Sequence, residues 1–122
     1  MSLLAVSGVS AGYAGEDVVH GVSFHVDPGE AITIIGSNGA GKSTLFRAIM
    51  SIVAASAGAI TFGDLDITNV PTHKISRLGL AYVPAERHLF PQMTVHENLL
   101  LGAFSRGPDA ERIDQPFELI LY

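Results

Sequence analysis

The sequence predicts an α/β fold, and three observations carry that prediction. Short stretches that are apolar at every second position, or throughout, predict β-strands over residues 3–9, 18–26 and 31–35. Residues 42–53 place apolar side chains on shared faces at helical spacing, which predicts an α-helix. Of the 122 residues, 48% are hydrophobic and 16% are charged, which provides enough apolar surface for one buried core.

The composition limits the classes of function. A formal net charge of −5 argues against a general nucleic-acid-binding protein, which needs a basic face, so we expect no nucleic-acid partner. The absence of cysteine excludes disulfides and thiolate metal sites. No secretory signal and no apolar stretch long enough to span a membrane are visible. The histidines have no metal-ligand spacing; they are His20, His25, His73, His88 and His96.

The first strands and turns follow from local patterns. In "VVHGVSFHV", Val22, Phe24 and Val26 alternate with smaller or polar residues, which predicts a half-buried strand. Residues 27–30, Asp-Pro-Gly-Glu, form a turn cluster. The stretch "AITII", residues 31–35, is almost wholly apolar, as in a strand that is buried on both faces.

The later elements are marked by turn and capping residues. "AITFGDLDIT" predicts a strand, a turn at Gly63-Asp64 and a second short extended piece. Asp64 could instead end a strand that presents a carboxylate to a metal, but the hairpin is favoured because Gly-Asp pairs commonly make turns. Pro71 suits the first turn of a helix that runs to Leu78 and stops at Gly79.

The last third of the chain predicts one more strand and one more helix. Residues 80–83, "LAYV", form an apolar strand that Pro84 ends. Residues 94–97, Thr-Val-His-Glu, form a capping box, so a helix should begin there and continue to Phe104. A polar, loop-like segment and the apolar ending "FELILY" follow.

Residues 36–44, "GSNGAGKST", carry the strongest chemical signal. Gly36, Gly41, Lys42 and Ser43 fit the pattern G-x-x-x-x-G-K-[ST], with an apolar stretch before it and a helix after it. The glycines let successive backbone N–H groups point at an anion, and the helix N-terminus adds the positive end of its dipole. Lys42 can reach the β- and γ-phosphates of a nucleotide, and the Ser43 hydroxyl can ligate Mg²⁺. The pattern predicts the core of a P-loop NTPase.

A chance match and a merely flexible turn both account for this motif less well. By chance, its fixed positions would match about once in a few hundred chains of this size. If the glycines formed only a flexible turn, Lys42 would be poorly placed, because a cation in the first turn of a helix is repelled by the dipole by about 0.3–1 kcal/mol. A polyanion bound at the loop removes that difficulty.

The motif and its surroundings resemble the ATP-binding subunits of ABC transporters. "GSNGAGKSTLFRAI" is similar to the Walker A region of that family, with Ser37 in place of the usual proline. The resemblance extends to about Phe104, and "LFPQMTVHENLLLGA" is similar to the subgroup that serves importers of branched-chain and related amino acids. Importers of urea or short amides are close relatives of this subgroup and stay as an alternative.

The resemblance assigns roles to matching positions. Tyr13 falls where an aromatic ring stacks on adenine, although the residues alone allow a half-buried tyrosine at a strand end equally well. Val18 could flank the same base, and Ser43 would hold Mg²⁺, so the implied cofactors are ATP and Mg²⁺. The residues implied to wrap the phosphates are Gly36, Ser37, Asn38, Gly39, Ala40, Gly41, Lys42, Ser43 and Thr44.

One position departs from the family's pattern. The family has a glutamine, or in this subgroup often a glutamate, directly after Tyr-Val-Pro, and that residue touches Mg²⁺ and the attacking water. Here the position is Ala85, whose side chain can do neither. Glu86, one place later, is a weak candidate for the role, because an exposed loop glutamate is the commoner situation. No complete catalytic set is therefore identified.

The resemblance implies an incomplete P-loop NTPase core with an N-terminal antiparallel β-subdomain. This core would cover about residues 1–93, and residues 94–122 would form the start of a helical subdomain and a tail. The family's L-S-G-G-Q signature, Walker B strand, aspartate loop and switch histidine do not occur in the 122 residues. We therefore expect an N-terminal portion of the ATPase domain that binds ATP without turnover, in which residues 31–35 and 80–83 lose a shared strand neighbour.

The resemblance also implies partners and a location. The partners would be two membrane-spanning permease subunits, a second ATPase subunit that makes a homo- or heterodimer and, indirectly, a substrate-binding protein. The location would be cytoplasmic and peripheral, on the inner face of the plasma membrane. Two alternatives are a truncated nucleotide-binding or docking module, regulating a full-length transporter through the surface from Phe90 to Phe104, and a small P-loop kinase. The kinase would need a lid of arginines that the sequence does not show.

Overall fold

The computed structural model describes residues 2–37, 39, 41–84 and 89–102. The chain divides into two compact units, Met1–Tyr82 and Val83–Tyr122. The first unit contains an antiparallel sheet, the glycine-rich loop and two helices, and the second contains one helix.

The sheet begins with a long hairpin. Strand β1 (Leu4–Tyr13) pairs antiparallel with β2 (Glu16–Val26), from Leu4 opposite Val26 to Tyr13 opposite Glu16. The two strands are joined by Ala14 and Gly15, whose φ angles are 53° and 82°. Positive φ at both central residues is the type I′ geometry that matches the twist of a hairpin. Both strands are longer than the sequence predicted.

Two further strands complete the sheet. Strand β3 (Ala55–Phe62) lies antiparallel on the other side of β1, and the short β4 (Leu65–Asp66) follows after a tight turn. The strand order is β2-β1-β3-β4. The turn between β3 and β4 falls at Gly63-Asp64, with a φ of 59° at Gly63, and this confirms the predicted hairpin.

A bulge in β1 decides which residues face the core. The register pairs Ser7 with Ala59 and then Ser10 with Ala57, so Gly8 and Val9 together stand opposite Gly58. As a result Val6 and Val9, three positions apart, are both buried. A regular strand with period two would have placed them on opposite faces.

One face of the sheet supports the core with two helices. Helix α1 (Lys42–Ile49) lies against β1 and β2, and α2 (Thr72–Arg77) contributes the fully buried Ile75. Gly79, with a φ of 103°, follows α2 at the predicted stop. The buried cluster consists of Val6, Val9, Val19, Leu45, Ile49, Met50, Ile60, Ile67 and Ile75.

Helix α1 is shorter than the sequence predicted. It was expected to reach about Val53, but it ends at Ile49. Ser51 has a φ of 60°, and the N–H groups of both Ile52 and Val53 bond back to the carbonyl of Arg47. A left-handed residue just past the end of a helix reverses the chain direction, which stops the helix.

Residues 31–35 and 80–83 do not form β-strands, so both of these strand predictions were wrong. Among the described residues neither segment has a strand partner. Ile34, Leu80 and Tyr82 pack against the core, whereas the side chain of Ile35 is 91% exposed. An extended apolar segment forms a ladder only beside a neighbouring strand. The apolar pattern indicates the tendency to be buried but cannot supply that neighbour.

The second unit contains helix α3 (Val95–Gly102), which begins with the predicted capping box. The N–H of Glu97 donates to Thr94 Oγ1 at 3.1 Å, and the N–H of Thr94 donates to Glu97 Oε1 at 3.0 Å. The predicted continuation to Phe104 lies outside the described residues. Within the described ranges, no helix has both the length and the apolar character needed to cross a membrane.

Candidate phosphate-binding site

The glycine-rich loop reaches helix α1 through residues in the left-handed region. Gly39 has a φ of 85° and Gly41 a φ of 96°. Residues with a Cβ rarely adopt such values, so glycine is the natural residue at both positions. Gly36 and Ser37 are exposed at the start of the loop, while Asn38 and Ala40 lie outside the described residues.

The N-terminus of α1 offers free backbone donors. Gly41 is the N-cap residue, and no side chain caps the helix. The first intrahelical bond runs from the N–H of Leu45 to the carbonyl of Gly41, at 2.9 Å. The N–H groups of Lys42, Ser43 and Thr44 therefore have no acceptor within the helix. Since the first turn also lacks an acidic residue, its positive dipole end is available to an anion.

A cavity of about 230 Å³ opens at this helix end. Its lining residues are Val18, Gly39, Gly41, Lys42, Ser43 and Thr44. Complete small-molecule sites usually measure about 300–1,000 Å³, so a cavity of this size matches a phosphate chain better than a whole nucleotide. Any base would have to lie outside it.

Lys42 holds the loop closed across its own mouth. Its Nζ donates a hydrogen bond to the carbonyl oxygen of Gly36, the first residue of the motif. The ammonium group therefore lies over the loop that would surround a phosphate. It can exchange a neutral carbonyl for an anionic oxygen, which is the stronger acceptor for a charged donor.

Strand β2 forms one wall of the cavity and explains a second requirement for glycine. A Cβ placed on Gly41 would lie 3.0 Å from Val19 Cγ2 and 3.4 Å from Val18 Cγ1. Val19 is buried, so it cannot move away easily, whereas Val18 is 41% exposed. The structure thus places Val18 directly beside the phosphate loop.

Tyr13 lies at the end of β1 and is joined to helix α1 by its hydroxyl group. Its side chain is 47% exposed, and its Oη accepts a hydrogen bond from Arg47 Nη1 at 3.1 Å. The hydroxyl of Thr44 and the guanidinium of Arg47 both bond this oxygen and lower the pKa of Tyr13. Tyr13 does not line the cavity, but Thr44 belongs to both groups of residues.

Arg47 and Tyr82 were not found by sequence reasoning. Hydrogen bonds to the hydroxyls of Tyr13 and Tyr82 raise the pKa of Arg47. No motif marks either residue, and the only available signal was the spacing of Thr44 and Arg47, three residues apart on one face of a helix. Ala85 and Glu86, the predicted metal-sensing positions, lie outside the described residues.

The fold and the loop together define an ATP-binding cassette, and the family comparison agrees. The family model for ABC transporters matches residues 19–120. The chain belongs to the ABC transporter family. This confirms the resemblance that the Walker A region and the residues up to Phe104 indicated.

Two similar proteins of known role illustrate the breadth of the family. The chain is 35% identical over 120 residues to BraG, a high-affinity branched-chain amino acid transport ATP-binding protein of Pseudomonas aeruginosa. That match covers 98% of this chain and 52% of BraG. It is also 38% identical over 100 residues to LptB, the lipopolysaccharide export system ATP-binding protein of Escherichia coli K12, covering 82% of this chain and 42% of LptB.

Solved structures give the same result for the fold. A nucleotide-free ATP-binding cassette from an ABC transporter superposes with a TM-score of 0.77 at 31% identity, covering 93% of this chain and 45% of that one. An ATP-binding subunit of an ABC transporter gives a TM-score of 0.75 at 36% identity, covering 88% and 44%. The predicted α/β class is therefore confirmed, and the chain spans about half the length of the proteins it matches.

Proposed function

We propose that this chain is the ATP-binding portion of an ABC importer subunit and that its own activity is to bind MgATP without turnover. The observation that carries the proposal is the phosphate cavity, in which three free N–H groups, Lys42 and the Ser43 hydroxyl meet at one helix end. ABC ATPase domains bind ATP, typically with Mg²⁺. Both the donor set and the cavity size fit the phosphate part of that ligand.

The roles of the individual residues follow from their chemistry. The loop from Gly36 to Thr44 would surround the phosphates, and Lys42 would neutralise charge on the outer two. The exposed Ser43 hydroxyl would hold Mg²⁺, which neutralises phosphate charge when bound. Tyr13 would stack on the adenine ring beyond the cavity, with Val18 beside the loop. Hydrolysis also needs a positioned water, for which the described residues offer no activating side chain near Ser43.

The proposed substrate of the complete transporter is a branched-chain or related amino acid. The similarity to BraG supports this, since it extends over 98% of the chain. The similarity to LptB, which belongs to an export system, shows that the ATPase sequence alone is a weak guide to the cargo. A urea or short-amide importer is the alternative within the same subgroup.

The proposed partners follow from the way ABC ATPase domains work, which is as dimers with membrane permease subunits. For the complete protein we propose two permease subunits, a second ATPase subunit and an indirectly coupled substrate-binding protein. The proposed location is the inner face of the plasma membrane.

The experiment that tests ATP binding uses the two lysines of the chain as a matched pair. Titration with a fluorescent ATP analogue in the presence of Mg²⁺ should show binding by the unaltered chain. Lys42→Ala should weaken it about ten- to hundredfold, because charge-assisted hydrogen bonds to the phosphates are lost. Lys74→Ala makes the same change of charge on α2 and should leave affinity unaltered. Equal affinity in all three proteins would contradict the proposal.

Turnover is tested separately. The purified chain should release no phosphate from ATP in a sustained way. Sustained ATPase activity that Lys42→Ala abolishes would contradict the proposed lack of turnover while supporting the proposed site.

A regulatory docking module is the second candidate. It is favoured by exposed apolar side chains in the second unit, which are Leu89, Phe90, Val95, Leu100 and Leu101. Co-purification with membrane subunits, without measurable ATP binding, would support this candidate over the first.

A further inference from the structure

The hydroxyl of Tyr13 is bound from helix α1 by two residues with different roles. Thr44 lines the phosphate cavity, and its side chain is 6% exposed. Arg47 lies three residues further along the helix and donates from Nη1 to Tyr13 Oη at 3.1 Å. Tyr13 itself is 34 residues away in the sequence, on the other element of the site.

The partners of Arg47 are unusual for an arginine near the surface. Its guanidinium hydrogen-bonds the hydroxyls of Tyr13 and Tyr82. Within the described residues no carboxylate pairs with it, since the one ion pair found there joins His25 and Asp27. Arginine usually pairs with carboxylates, which suit its planar donor geometry. Here the donors are directed to two aromatic hydroxyls.

These bonds fix the direction of the Tyr13 ring. The Oη atom is the far end of the side chain, so fixing it prevents the ring from swinging about χ1 and leaves only rotation about the axis of the ring. Thr44 connects this fixed end to the cavity wall. The plane on which a base could stack is therefore set relative to the N–H groups that would hold the phosphates.

We propose that Arg47 is a positioning residue for the nucleotide base, acting through the Tyr13 hydroxyl so that the ring and the phosphate loop bind one ligand together. This inference rests on the proposed binding of ATP at the loop. Preorganised aromatic contacts add affinity because less conformational freedom is lost on binding. Arg47 should therefore strengthen binding of a nucleotide but not of a phosphate chain without a base.

A simpler role for Arg47 makes different predictions. If its positive charge merely attracted polyphosphate, its removal would weaken ATP and inorganic tripolyphosphate equally. Tyr13→Phe, which keeps the ring and removes only the hydroxyl, would then have no effect. The ratio of the two affinities separates these roles.

The experiment measures ATP and tripolyphosphate affinity in the full 122-residue chain by calorimetry, for four proteins. Arg47→Met and Tyr13→Phe should each reduce the preference for ATP about three- to tenfold, as expected for one hydrogen bond. The double variant should be no worse than either single variant, because both remove the same contact. An unchanged ratio in both single variants, with ATP still bound, would overturn the inference.

Failure of the proposed function gives a different result. In that case the unaltered chain binds neither ATP nor tripolyphosphate, and both proposals fall. Arg47→Lys adds a further distinction, because it keeps the charge but lacks the planar group of donors. A lysine variant that behaves like the unaltered chain would support general attraction and contradict positioning.

A spectroscopic readout tests the contact without any ligand. The chain has three tyrosines, so Tyr82→Phe with Tyr122→Phe leaves Tyr13 as the only one. In that background, Arg47→Met should raise the midpoint of the ultraviolet titration of tyrosinate, because the donor that favours the ionised form is lost. Thr44 remains as a second donor, so the change should be partial. An unmoved midpoint would show that Arg47 does not hold Tyr13.

Discussion

At the scale of single residues, Ser51 combines two unfavourable features. Its backbone is left-handed, with a φ of 60°, and its Oγ is buried without a hydrogen-bond partner in the described part of the chain. A left-handed conformation costs a non-glycine residue about 1–2 kcal/mol, and a buried unpaired hydroxyl about 1–3 kcal/mol. The position after a helix end is where glycine is most favoured. Ser51 is therefore a weak point just beyond the helix that carries the phosphate loop.

Replacing Ser51 should stabilise the protein in two separable steps. Ser51→Ala removes the unpaired hydroxyl but keeps the backbone conformation, so we expect a gain of about 1 kcal/mol. Ser51→Gly also relieves the backbone and should gain about 1 kcal/mol more. Urea unfolding, followed by circular dichroism, measures both. If glycine were no more stable than alanine, the left-handed conformation would not be the source of the instability.

At the scale of elements, two glycines in the bulge of the sheet form a natural comparison. Gly8 and Gly58 both have positive φ, of 59° and 88°. A Cβ on Gly8 would meet no atom within 4 Å, whereas a Cβ on Gly58 would lie 2.5 Å from the carbonyl carbon and oxygen of Gly8. The first position requires glycine for its backbone conformation alone. The second also requires it because β1 and β3 approach closely.

The two alanine substitutions should therefore differ in severity. Gly8→Ala should destabilise the first unit by about 1–2 kcal/mol, from the left-handed conformation only. Gly58→Ala should cost about 2 kcal/mol more than that, because backbone atoms on the facing strand must move. The free energy of unfolding in urea provides the comparison. Equal effects would mean that the strands can separate at the bulge without penalty.

The capping box of α3 should make that helix sensitive to acid. The backbone N–H and the hydroxyl of Thr94 hold the pKa of Glu97 below its usual value, with a smaller contribution from His96. A carboxylate with a lowered pKa stabilises the folded form above its ordinary pKa, near about 4.3. That stability is lost as the pH falls through the lowered value. Glu97→Gln keeps an acceptor but cannot titrate, so the dependence should disappear.

Amide hydrogen exchange along α3 between neutral pH and about pH 3 measures this effect. Protection of Asn98 and the residues after it should fall on acidification in the unaltered chain and stay level in Glu97→Gln. Thr94→Ala should lower protection at every pH, since it removes the bonding partner. Acid sensitivity that persisted in the glutamine variant would assign the effect to another group.

At the scale of the whole molecule, the sequence predicted what depends on neighbouring residues. The Gly63-Asp64 turn, the capping box of Thr94 and Glu97, and the loop before Lys42 are all recognisable within a few positions. Each is stabilised by bonds within the same short segment. The α/β class and the family followed from such local features, and both are confirmed.

What the sequence did not predict depends on contacts between distant residues. Residues 31–35 have the composition of a strand, but a strand needs a partner, and composition does not name one. The bulge at Gly8 arises from the pairing of β1 with β3 and breaks the period of two. Arg47 was missed because its partner Tyr13 is 34 residues away and shares no motif with it.

The pairing of β1 with β3 also has a consequence for the order of folding. Leu4 stands opposite Phe62, so this pairing closes a long chain loop, and the phosphate motif lies within it. Each flanking hairpin closes only a few residues and forms at a small entropic cost, whereas the central pairing must bring distant segments together. We therefore expect the two hairpins to form first. The anion-binding geometry should arise only when β1 and β3 meet, so a newly synthesised chain would gain its affinity for phosphate in the slow step of folding.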